Sequence, residues 1–143
     1  CPADAREIRT PAMIGLDTKV LVRYLTRDDP AQFEKAAAFI EAATDRGEQL
    51  VVNTVVLCEL EWVLGSAYNY SRAEIARAIE QILATAQFEV ERLDEARKAL
   101  ADFRTTKSDF SDALIGRINR SLGAEHTMTF DRDLKAVDTF RLL

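Results

Sequence analysis

Met13-Ile14-Gly15-Leu16-Asp17-Thr18-Lys19-Val20-Leu21-Val22-Arg23-Tyr24-Leu25 changes its period in the middle. The first four residues form a short apolar run that ends on a carboxylate, the pattern of a buried strand. After Asp17 the apolar side chains Val20, Leu21, Tyr24 and Leu25 recur at the three-to-four spacing of one helix face. A strand that passes directly into a helix is the opening of a β–α–β unit, because parallel neighbours need a helical crossover. The expected class is α/β, with a mostly parallel central sheet of about four or five strands flanked by helices on both faces.

The rest of the chain continues the alternation. Asp28-Asp29-Pro30 stops the first helix and primes a second, which runs to about Arg46 with Ala37, Phe39 and Ile40 facing inward and Gly47 closing it. Leu50-Val51-Val52 reads as a second buried strand. Thr54 is the expected N-cap of a helix over 55–64 that Gly65 ends. Ser71 followed by Glu74 is a capping box opening a helix to about Thr85. Phe88-Glu89-Val90 is a short strand, 94–104 an amphipathic helix, and Ser108-Asp109-Phe110-Ser111-Asp112 starts a helix through Leu122, with Gly123 at its end. Residues 127–130 and 140–143 are the last two strand candidates. Residues 1–12, with two of the three prolines and no clean period, read as a leader or expression remnant, so the domain is expected to span 13–143.

A chain of 143 residues with 48% apolar content can build one sizeable core, so one domain is expected. No apolar run reaches the roughly 18–20 residues of a membrane span, and no secretory leader opens the chain, which makes no membrane contact and a cytoplasmic location the expectation. Cys1 and Cys58 form no disulfide framework, and the lone His126 has no partner for a nitrogen–sulfur zinc site. Cys58 reads as core packing and His126 as a surface or strand-edge residue. The net charge of −5 argues against a generic nucleic-acid binder. It leaves room for an enzyme whose carboxylates hold cations, since bound metal restores attraction for phosphate.

Ligands of a parallel α/β sheet collect beyond the carboxyl ends of its strands. Asp17 follows the first strand, Asp131 the fourth, Glu59 lies one turn into the helix after the second, and Asp112 opens the helix before the fourth. Glu59 and Asp112 each interrupt an apolar stretch, Val55-Val56-Leu57-Cys58 and Ala113-Leu114-Ile115, where a charge is costly unless paired or metal-bound. Four carboxylates in one crevice repel one another, and hard divalent cations such as Mg²⁺ or Mn²⁺ relieve that repulsion. The chemistry such a site supports is phosphodiester hydrolysis. The competing reading makes Asp17, Asp109 and Asp131 helix caps and lets Glu59 reach solvent.

Four segments in order carry a resemblance. Met13 to Leu25, Val55-Val-Leu-Cys-Glu59-Leu-Glu-Trp-Val-Leu64, Asp109-Phe-Ser-Asp112-Ala-Leu-Ile115 and Thr129-Phe-Asp131-Arg-Asp-Leu134 resemble the four motifs of PIN domains, in the order and spacing of VapC-type toxins. The resemblance implies a single PIN-like domain and a metal-dependent endoribonuclease, the toxin of a type II toxin–antitoxin pair. It implies Asp17, Glu59, Asp112 and Asp131 as catalytic metal ligands for Mg²⁺ or Mn²⁺, with Asp133 replacing or assisting Asp131. Thr18, Asp109 and Thr129 stand close enough in sequence to orient a carboxylate or water. It also implies an RNA substrate, a cognate antitoxin and a homodimer.

One departure is Lys19, where the family commonly has Asn. An ammonium there pairs with a carboxylate, contacts phosphate, or extends to water. It also disfavours a haloacid-dehalogenase type of phosphohydrolase, which wants a second Asp at that place. Lys19 keeps open the alternative of a catalytically weak or inactive PIN-fold module that acts by antitoxin or RNA binding. Arg117, Arg120 and Arg132 are the candidate RNA contacts among the basic residues near the acids. Trp62, Tyr68 and Tyr70 are expected in core or interface packing rather than base stacking. An amphipathic antitoxin segment is expected in a groove formed by the early helices.

Overall fold

A computed structural model describes residues 12–143. The expected leader, apart from Ala12, and Cys1 lie outside the described residues. Strand β1 (Met13–Gly15) leads through Leu16 and Asp17 into helix α1 (Thr18–Thr26), as the opening segment requires. Helix α2 (Pro30–Asp45) begins on proline behind an Asp29 cap and gives way to Gly47 in the left-handed region, φ 70°. Strand β2 (Gln49–Val52), helix α3 (Thr54–Ala67), helix α4 (Arg72–Ala84) and strand β3 (Phe88–Val90) follow. The chain then forms α5 (Leu93–Thr105), α6 (Phe110–Ser121), β4 (Thr127–Thr129), a 3₁₀ turn over Arg132–Leu134, and β5 (Phe140–Leu142).

All strand pairs are parallel, in two sheets rather than one. Sheet order β1-β2-β3 places Ile14 opposite Leu50 and Leu50 opposite Phe88, while β4 pairs with β5. Leu50 and Val52 of the central strand are fully buried, and the main core gathers around them from α1, α3, α4, α5 and α6. Strand β1 is an edge among the described strands, with Met13 exposed, so it is less buried than its apolar run predicts. A second small core of Leu134, Val137 and Phe140 seats the chain's last segment.

The local signals differ from expectation at α3. Its N-cap is Asn53, whose side chain accepts from Val56 N at 2.9 Å, and the Thr54 N–H is taken by Glu91, the residue just after β3. Gly65 does not end the helix, which runs one turn's fraction further to Ala67. A glycine inside a helix lacks only a side chain, and here the Ile75 side chain lies 3.5 Å from where a Cβ would stand. The Ser71–Glu74 capping box is present in both directions. Phe39, expected inward, is instead half-open on the side of α2 facing α1.

Arg72, at the start of α4, holds the turn before α6. Its guanidinium donates to the carbonyls of Phe103, Thr106 and Ser108 at 2.6–3.1 Å and lies over the Phe103 ring. This satisfies carbonyls left free where α5 ends and fixes the stretch that delivers Asp109 and Asp112.

Candidate active site

Asp17 sits beyond the carboxyl end of β1, where it caps α1 by accepting from its neighbour, Thr18 N, at 2.8 Å. The buried Thr18 hydroxyl donates to Glu59 Oε1 at 2.6 Å, which ties α1 to α3. Thr18 therefore joins the first and second acids. Glu59 itself lies on the open face of α3 beside Val55 and Trp62, which are 66% and 71% exposed, so its apolar flanks are not a buried face. The reason is helical rotation: Val56, Leu57, Leu60 and Leu64 turn inward, and 55, 59, 62 and 66 form the opposite stripe.

Asp112 is half-buried in the first turn of α6. Burial raises its carboxyl above the usual carboxylate range, and the charges of Asp109, Asp131 and Glu61 raise it further. Asp131 is thus a near electrostatic neighbour of Asp112. It follows β4, its backbone N–H donates to Thr129 Oγ1 at 3.0 Å, and its own Oδ1 accepts from Asp133 N at 2.9 Å. Asp133 is exposed on the 3₁₀ turn and is not among the charges acting on Asp112.

Hydrogen bonds through Thr18 tie Asp17 to Glu59, and Asp112 feels the charges of Asp109, Asp131 and Glu61. Among the described residues no three His, Cys, Asp or Glu side chains stand together closely enough to hold a metal ion. The donor set nevertheless suits a hard divalent cation, because a half-buried carboxyl crowded by other carboxylates is relieved by positive charge.

One residue at this site escaped sequence reasoning. Glu61 of α3 accepts from Phe110 N at 2.7 Å, from Ser111 N at 2.9 Å and from the Ser111 hydroxyl. Asp109 occupies the N-cap position of α6 yet makes no capping bond, so Glu61 supplies the cap across the interface instead. Cys58 packs against the core as expected and is half-buried beside the same turn; burial raises its thiol, Ser111 opposes that, and Glu61 and Asp112 add to it. The one signal for Glu61 was a second acid inside the apolar stretch around Glu59.

Of the candidate RNA contacts, Arg117 is held in a two-pronged pair with Asp102 of α5, at 2.7 and 2.8 Å. Arg120 binds the Asp138 carboxylate and the carbonyls of Glu125 and Asp138. Arg132 is exposed and makes no ion pair with another described residue. Lys19 is also exposed and points along a groove of about 560 Å³ between α1 and α2, lined by Leu16, Val20, Arg23, Lys35 and Phe39. Tyr68 and Tyr70 meet edge to face and both pack against the core, whereas Trp62 stands in solvent. His126 lies just before β4, next to the Arg141 guanidinium at 3.1 Å.

A parallel α/β chain with acids gathered at the carboxyl ends of β1 and β4 belongs to the class of acid-site α/β domains. The PIN domain family matches residues 14–139, and the chain belongs to that family. It is 29% identical over 120 residues, 84% of this chain and 88% of its relative, to a VapC ribonuclease of Aquifex aeolicus (strain VF5). No solved structure matches. Among the described residues no helix is long and apolar enough to cross a membrane.

Proposed function

We propose that this protein is a toxin-type endoribonuclease that hydrolyses RNA phosphodiester bonds with Mg²⁺ or Mn²⁺. The observation that carries the reading is Asp112, half-buried at the start of α6 and surrounded by the negative charges of Asp109, Asp131 and Glu61. Family membership and the VapC relative support the same reading. Asp17, Glu59, Asp112 and Asp131 are the residues that would hold the cation, which supplies activated water and neutralises charge on the leaving oxygen. Thr18 orients Glu59 through its hydroxyl, and Thr129 orients the loop of Asp131 through its own. Arg132, exposed beside Asp131, contacts the RNA backbone. The protein works as a cytoplasmic homodimer restrained by a cognate antitoxin.

The test is direct. Purified protein with Mn²⁺ cleaves total RNA, chelation stops it, and Asp17→Asn reduces cleavage to background. Intact RNA, together with no heat of Mn²⁺ binding by calorimetry, would instead establish a PIN-fold module that acts by binding alone. That second reading draws on Lys19, an exposed ammonium two residues after Asp17.

A further inference from the structure

We infer that Glu61 is the positioning residue that sets Asp112 in the acid site. This rests on the proposed metal-dependent reading of the four acids. Glu61 comes from the middle of α3, and its bonding partners lie 49 and 50 residues away at the start of α6. The first N–H groups of any helix lack partners within it, and a side chain just before the helix usually supplies them. In α6 that local role is vacant, because Asp109 makes no capping bond. Glu61 fills it with both oxygens, Oε2 on Phe110 N and Oε1 on Ser111 N and Oγ.

A carboxylate offers about four acceptor sites, and three of these are occupied. Glu61 is therefore built as a brace rather than as a further metal ligand. Charge-assisted bonds to a helix N-terminus are short and strong, and the helix dipole favours the anion there. Asp112 is the residue immediately after the braced pair. Its backbone position, and so the reach of its carboxylate, follows from that turn.

The same helix holds the other half of the site. Glu59, two residues before Glu61, is joined through the Thr18 hydroxyl to the turn that bears Asp17. Helix α3 thus acts as the ruler between acids that have no covalent proximity. Glu59 fixes it to α1, and Glu61 fixes it to α6. Losing the second attachment leaves every proposed ligand in place but frees the distance between them.

The experiment uses the whole chain and the near-isosteric Glu61→Gln, with Asp112→Asn as the reference. Three readouts are hydrogen exchange at the amides of Phe110 and Ser111, Mn²⁺ affinity by calorimetry, and kcat and KM for an RNA oligonucleotide in Mn²⁺. Glu61→Gln speeds exchange at the two amides, weakens Mn²⁺ binding by about tenfold and lowers kcat by a similar factor, with KM unchanged. Protected amides, or unchanged Mn²⁺ affinity and kcat beside an Asp112→Asn that loses both, overturn the inference. An Asp112→Asn that loses neither shows that the four-acid reading itself has failed. If Glu61→Gln does not fold, Ser111→Ala removes one of the three bonds. It weakens Mn²⁺ affinity by about two- to threefold, a smaller share of the same effect; unchanged affinity there overturns the inference.

Discussion

At the scale of single residues, Asp112 is where structure and chemistry pull against each other. Its folded carboxyl binds a proton more tightly than an exposed one, chiefly because burial disfavours the charged form and then because three carboxylates face it. A group raised in this way contributes stability that is complete below the unfolded carboxylate range and is lost as pH rises through its folded value. Asp112→Asn cannot ionise. In the absence of divalent metal the variant is therefore expected to melt above the parent near pH 7, with the gain shrinking toward zero near pH 3. Thermal denaturation at the two pH values checks this, and an equal melting shift at both would sink it. Mn²⁺ is expected to raise the melting point of the parent and not that of the variant, since only the parent carries the carboxylate that a cation relieves.

At the scale of elements, α6 is held at its first turn and at its middle by contacts that leave little tolerance. Glu61 braces its first turn, and in its middle Gly116 passes so close to Thr139 and Phe140 that a Cβ would overlap the Thr139 hydroxyl and the Phe140 ring. Gly116→Ala gains helix propensity of about 1 kcal/mol in an open helix. Here overpacking wins, because Thr139 and Phe140 are themselves buried and lead directly into β5. A net loss of about 1–3 kcal/mol in urea unfolding is expected, and a more stable variant would contradict the close approach. The helix boundaries around this contact were legible because their causes are local: Ser71 with Glu74, Pro30 behind Asp29, Gly47 and Gly123 all act within a turn. The turn at α3 was misread for the opposite reason. A glycine ends a helix by turning left-handed, and Gly65 does not: among the described residues the positive-φ glycines are Gly47 and Gly123, and the side chain nearest Gly65 comes from Ile75 of α4. The split of the strands into β1-β2-β3 and β4-β5 depends on pairing across long separations, which periodicity does not encode. Asp17 and Asp131 could be placed beyond the ends of β1 and β4 from their order alone. Glu61 could not be told from a surface acid, because its partners are 49 and 50 residues away.

At the scale of the whole molecule, a net charge of −5 conceals an uneven distribution. Arg117 and Arg120, close in sequence to the acids, are spent on Asp102 and Asp138, so they stabilise the fold rather than extend toward a substrate. Positive charge is open instead along the groove between α1 and α2, where Lys19 and Lys35 flank Leu16, Val20 and the half-open Phe39, while Arg23 on the same wall is paired with Asp28. An apolar floor with a basic rim suits an amphipathic segment that carries acidic side chains, the kind of antitoxin segment proposed above. Lys35 and Phe39 belong to α2, which bears none of the four acids. Lys35→Glu combined with Phe39→Ala is therefore expected to weaken capture of the cognate antitoxin by about tenfold or more, since each tenfold step is about 1.4 kcal/mol and an apolar anchor with a charge reversal exceeds that. RNA cleavage in the absence of antitoxin stays at the parent level. Titration of antitoxin into a Mn²⁺-dependent cleavage assay reads both quantities at once. Unchanged inhibition would place the antitoxin elsewhere, and a fall in uninhibited cleavage would mean that the groove serves the RNA itself.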